Sequence, residues 1–320
     1  MARPFCPRPV SLYLGFWALS IKVDRASPSL AVRQMEREPV ASDTQDSWLV
    51  RHEFLVRRLH SLSGLIPVGA YMVVHLLVNA SVQNGPGTFQ EAVYQIHSLG
   101  RLLPFVEWTF IFIPILFHAI FGVVIIAGGL PNTGQYPTAS NIRYTLQRVT
   151  GILAFLFIVW HVFHMHGWIH ADWWIDGVAK NLGGAKFRPF NAASSAGLAL
   201  QSFAVIVGYV IGVLACVFHL ANGIWTMGIT WGVWTSPAAQ RRANWVCTAF
   251  GIGLAVVSLA ALQGMWASGH GEGLQESLVV EDKQYEAGID SGRLQANEHK
   301  RSGPEERGEV GDEVTARPSD

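Results

Sequence analysis

The sequence predicts an all-α protein, a bundle of five membrane-crossing helices. Three observations carry the prediction. Half of the residues are hydrophobic and only 14% are charged, with a positive mean hydropathy. Five stretches reach the roughly 20 apolar residues that a hydrocarbon core demands, and the breaks between them hold turn-forming residues. Twelve tryptophans suit the interfacial belts of such a protein.

The first stretch, Leu59 to Ala80, ends before Asn84-Gly85-Pro86-Gly87. The second, Phe105 to Leu130, runs into Pro131-Asn132-Thr133-Gly134, and the third covers Val149 to Ile169. Asn181-Leu182-Gly183-Gly184 precedes the fourth, Phe203 to Val233; Ser236-Pro237 opens the way to the fifth, Trp245 to Ala267. Arg51, Arg57 and Arg58 lie before the first span, Arg143 and Arg148 before the third, Arg241 and Arg242 before the fifth. The other loops carry Arg101, then Lys180, Lys186 and Arg188 diluted by Asp172 and Asp176. Because basic residues stay on the cytoplasmic side, the N-terminus is expected in the cytoplasm and the C-terminus outside.

Residues 51–267 therefore form the membrane domain, and both ends are separate from it. Residues 268–320 are polar, of mixed charge and poor in aromatics, and are expected to be a disordered tail. Residues 1–50 are expected to be a polar, poorly ordered extension. Arg3 and Arg8 followed by Val10 to Ile21 imitate a signal peptide, but a cleaved signal would send the first span's arginines outward. The expected true start is Met35.

A formal net charge of zero and the lack of a Lys/Arg-rich run give no support to nucleic-acid binding. Cys6, Cys216 and Cys247 form neither CxxC nor CxxCH, which argues against a disulfide framework, a thiolate zinc site and covalent haem.

Four histidines then stand out, each alone within a different apolar segment: His75, His118, His161 and His219. An imidazole in hydrocarbon is costly and is kept where it faces the bundle interior. A single buried histidine is more often a core residue than a ligand, but these four fall into matched patterns. Before His75 the chain reads Arg58-Leu-His-Ser-Leu-Ser63-Gly64, and before His161 it reads Gln147-Arg148-Val-Thr150-Gly151. His118 and His219 share the pattern FHxxxG. The first and third helices thus match, as do the second and fourth, and matched helices run the same way. Imidazoles at equal depth can grip one iron from opposite sides.

At a rise of about 1.5 Å per residue, His75 lies about 27 Å beyond Arg57 and His161 about 20 Å beyond Arg148, toward the outside. Counted inward, His118 follows Glu107 by about 16 Å and His219 follows Gln201 by about 27 Å, toward the cytoplasm. Gly64 and Gly151 fall about 15 Å below their own helices' histidines, level with the inner pair, where the missing side chain clears room for a flat macrocycle. The expectation is two non-covalent b haems between the first four helices. Depth leaves His164 as an alternative to His161; the pattern favours His161. His60, His97, His164 and His166 are read as interfacial.

The stretches 57–79, 107–125, 146–163 and 216–232 resemble the cytochrome b558 subunit of succinate:menaquinone oxidoreductase, the five-helix, two-haem anchor type, and the likeness covers about residues 50–267. The resemblance implies His75 and His161 as axial ligands of an outer haem and His118 and His219 of an inner one. It implies a flavoprotein subunit and an iron–sulfur subunit as cytoplasmic partners, menaquinone as substrate, and a place in a bacterial cytoplasmic membrane. Dehydrogenase chemistry would belong to the partners and quinone reduction to this chain. Arg58, Ser61 and Arg148 are candidate propionate contacts, against the plainer reading of topology-setting arginines. Glu107 is a candidate proton relay at a quinone site, or else a helix-end carboxylate facing water. Some related fumarate reductases carry a glutamate two positions before the fourth-helix histidine; here that position is Val217. The competing readings are another two-haem quinol-linked cytochrome b and a non-redox transporter using histidines for protons or metal.

Overall fold

The computed structural model describes residues 51–303, apart from residues 130, 131 and 170. The proposed extension over 1–50, with its start at Met35, lies outside the described residues, as do residues 304–320. The described chain is helical, and five of its helices are long and apolar enough to cross a membrane. We label them with the shorter helices in chain order: α1 Glu53–Asn84, α2 Pro86–His97, α3 Gly100–Ala127, α4 Ala139–His166, α5 Ala192–Ala199, α6 Phe203–Thr230, α7 Pro237–Ser268 and α8 Gly271–Asp290.

Several of the long helices begin before the apolar stretch does, because a charged or polar turn can extend a helix past the hydrocarbon. Thr138 caps α4 by accepting from the Asn141 amide, and Ser236 caps α7 by accepting from Ala239 with Pro237 in the first turn. Gly167, at φ 75°, closes α4 in the left-handed conformation that a glycine adopts freely. Helix α1 is interrupted at Gly64–Gly69 by a widened turn that contains Pro67 and a non-helical Ile66.

Helix α1 packs on α7 and, through its first half, on α3; α6 packs on both α4 and α7. Gly212 lets α6 approach Phe157 of α4 so closely that a Cβ there would lie 2.1 Å from the ring. A mid-bundle core of Leu76, Val217, Leu220 and Leu254 joins α1, α6 and α7. Large apolar side chains cover the outside of the spans, among them Phe54, Val74, Ile120, Leu156 and Val246, as lipid contact requires.

Over the end where α1 finishes, α2, α5 and α8 form a cap. Val82, Phe89, Val93, Ala193, Leu200 and Met265 bury a core beneath it, and Tyr94, Phe190 and Tyr285 cluster within it. Of the tail expected to be disordered over 268–320, residues 271–290 form helix α8. Its mean hydropathy is low because the exposed face is charged, yet Ser277, Leu278, Glu281, Tyr285 and Gly288 fall on one helical face and are buried. The Glu281 carboxylate accepts from the amides of Ala193 and Ser194 (2.6 and 3.0 Å), the Ser194 hydroxyl (2.6 Å) and the Asn191 amide (3.4 Å), and so caps α5 from another helix. Arg301 pairs with Asp282 at 2.8 Å, and Arg293 with Glu91 at 2.9 Å.

Candidate functional site

The bundle brings the four histidines together as two pairs at two levels. The rings of His75 (α1) and His161 (α4) have centroids 6.0 Å apart, and those of His118 (α3) and His219 (α6) also stand 6.0 Å apart. With a metal–imidazole bond of about 2 Å on each side, plus the reach from nitrogen to ring centre, that separation would leave room for one metal ion between the two rings. Among the described residues no group of three or more His, Cys, Asp or Glu side chains could hold a metal ion. Each site is thus a pair of imidazoles with no third side chain of these types grouped with it among the described residues.

The lower pair is held by a repeated device. His118 donates its Nδ1–H to the carbonyl of His60 at 2.8 Å, and His219 donates to the carbonyl of Gln147 at 3.1 Å. Each of those carbonyls lies four residues before a glycine, and each glycine meets the same imidazole. A Cβ on Gly64 would come within 2.2 Å of the His118 ring, and one on Gly151 within 2.9 Å of the His219 ring. The two glycines thus lie level with this pair and accommodate its imidazoles against the helix backbone. Fixing Nδ1–H this way selects the tautomer that leaves Nε2 for a metal.

The upper pair is held differently. His161 Nδ1 is 3.2 Å from the Tyr209 hydroxyl, and His164 Nδ1 is 2.9 Å from the same oxygen. His75 Nε2 lies 3.0 Å from the side-chain amide of Asn79, one turn on; a metal at that nitrogen must displace the amide. Tyr71 stacks on His75 with centroids 5.6 Å apart, and Glu107 is near enough to Tyr71 to act on it electrostatically. Glu107 therefore belongs to the His75 neighbourhood.

Two histidines read as interfacial are packed. His164 is buried and stacks on Trp160 at 5.1 Å. His60 stacks on His118 at 4.1 Å with the rings 11° from parallel. Helix packing around them, invisible in a local pattern, is the reason.

At the end where α1 begins, the Arg58 guanidinium donates to the carbonyl of Thr230 at 3.1 Å and lies over Trp231 at 5.0 Å, while the Trp231 indole donates to Ser61 at 3.0 Å. Arg58 and Ser61 thus share one corner. Arg148 occupies another, donating to the carbonyl of Gly129 and to the Tyr144 hydroxyl. Sequence reasoning missed Tyr209, Asn79 and the Arg143–Asn222–Gln147 chain beside His219. The available signal was polar residues inside apolar helices.

The chain is 36% identical over 213 residues to the succinate dehydrogenase cytochrome b558 subunit of Bacillus subtilis (strain 168), across 66% of this chain and 96% of the relative. No family model matches it.

Proposed function

The chain belongs to the succinate dehydrogenase cytochrome b558 subunit family, and on that premise we propose that it is the dihaem anchor that carries electrons from an iron–sulfur subunit to menaquinone. The observation that supports this reading most is the pair of bis-imidazole sites at two levels of one five-helix bundle. The residues present fit haem b: each pair would offer its iron two imidazole nitrogens, and the macrocycle would supply the rest of the coordination. His75 and His161 hold the outer haem; His118 and His219 hold the inner one. The bound haems supply one-electron carriage between the faces of the membrane.

The chain's own residues set where those irons lie. His60 and Gln147 fix the inner imidazoles through their carbonyls, and Tyr209 orients His161. Arg58, Ser61 and Arg148, at the end where α1 begins, are placed to meet propionates of the inner haem. Glu107 and Tyr71, beside His75, are placed to hand a proton to a quinone at the outer level. The basic first turns of α1, α4 and α7 face the cytoplasm, where the flavoprotein and iron–sulfur partners dock, and α8 lies outside.

Haem per chain, measured on the detergent-purified complex with its partner subunits in place, tests the reading. The expected result is two b haems reducible by succinate, with one lost in each of His75→Ala, His118→Ala, His161→Ala and His219→Ala. Retention of both haems in any of these variants overturns that residue's assignment.

A further inference from the structure

Beside His219 a chain of polar groups runs through the apolar bundle to a guanidinium. Gln147 grips His219 twice: its backbone carbonyl accepts the imidazole Nδ1–H at 3.1 Å, and its side-chain amide donates to the carbonyl of His219 at 3.1 Å. The Gln147 side-chain oxygen accepts from Asn222 at 2.7 Å, and Asn222 is buried. The Asn222 oxygen accepts in turn from the Nε of Arg143, whose other nitrogen reaches the Asn244 oxygen. The guanidinium lies over the Trp225 ring at 3.9 Å. Every one of these partners is neutral, and among the described residues no carboxylate pairs with Arg143. Its positive charge is solvated by amide dipoles and an indole face, not cancelled.

We propose that Arg143 is a positioning residue for His219: through Asn222 and Gln147 it fixes the imidazole, and its uncancelled charge raises the reduction potential of the haem that His118 and His219 hold. The inference rests on the ligand reading above. A positive charge near an iron favours the reduced form, which carries one positive charge fewer. At a distance of about 10 Å and an effective dielectric of about 20, that preference is about tenfold in the reduction equilibrium. The aligned amide chain orients the ligand plane and keeps Nδ1–H engaged, which is a separate contribution.

The test is a mediated redox titration of the whole purified complex, with low-spin electron paramagnetic resonance as a second readout. Arg143→Gln is expected to lower one haem's equilibrium about tenfold, about 59 mV for a one-electron couple, and to leave the other in place. Arg143→Lys keeps the charge and stays close to the parent potential, while its signal shifts because the fork to Asn222 and Asn244 is lost. Asn222→Asp sets a carboxylate beside the guanidinium and cancels its charge in place; the same haem is expected to fall likewise. The proposal is overturned if Arg143→Gln keeps both haems at parent potentials, or if Arg143→Lys falls as far as Arg143→Gln. It is also overturned if Arg143→Gln loses haem while the Asn222→Asp potential stays put. Failure of the ligand reading is distinguishable, because His219→Ala would then retain two haems.

Discussion

Replacing Glu281 separates the cap from the bundle in a pH-dependent way. The carboxylate is fully buried, and burial pushes its pKa up to about 7 from the ordinary 4.5, although the hydrogen bonds from Ser194, Ala193 and Asn191 pull the other way. A folded value above the unfolded one means that the docked state binds the proton more tightly. The contribution of Glu281 is therefore complete below about pH 4.5 and declines as pH rises through 7. The whole displacement is worth about 3 kcal/mol, of which about 2 kcal/mol, about thirtyfold in an opening equilibrium, falls between about pH 5.5 and about pH 8.5. Burial raises the Tyr94 hydroxyl above its usual range, so this neighbour stays neutral throughout. Hydrogen–deuterium exchange over residues 271–290, corrected for intrinsic rates, reads the opening directly. Glu281→Gln is expected to abolish the pH slope and to weaken protection at low pH by about 1–3 kcal/mol, since its NH2 faces donors in place of an acceptor. Equal protection of the parent at both pH values, or an unchanged slope in Glu281→Gln, would refute the reasoning.

Three further substitutions probe the histidine sites. Gly64→Ala places a methyl 2.2 Å from the His118 ring and Gly151→Ala places one 2.9 Å from His219, so the first is expected to disrupt the inner haem's low-spin spectrum more than the second; identical spectra in parent and Gly64→Ala would contradict this. Tyr209→Phe removes the hydroxyl shared by His161 and the buried His164, a loss of about 1–3 kcal/mol. Thermal release of the outer haem is expected at a lower temperature than in the parent, with the inner haem unaffected; simultaneous release of both at the parent temperature would count against the role given to Tyr209.

The spans were legible because lipid demands uninterrupted apolarity, which composition reports without any knowledge of packing. Which histidines meet was legible for a different reason. The local patterns around His75 and His161, and around His118 and His219, repeat, and repeated helices run parallel. Helix α8 was not legible from average composition, since charged and apolar faces cancel; the spacing of Leu278, Glu281 and Tyr285 carries the signal instead. The packing of His60 and the burial of His164 depend on which helix lies opposite, and the reach of Arg143 to Asn222 and Asn244 joins residues about 80 and 100 positions away. No window along the chain contains such information.

Each histidine pair joins one helix from the first half of the bundle to one from the second: α1 with α4, α3 with α6. A chain that has inserted only its first two spans holds a lone imidazole at each level and neither pair. The pair that α1 and α4 complete becomes available one span before the pair that waits for α6. Under the proposed ligation the outer site can therefore be loaded before the inner one, and a chain that stops early leaves single imidazoles without their partners. Under the proposed ligation each loaded site adds a second tie across the bundle to the one that Leu76, Val217, Leu220 and Leu254 already make.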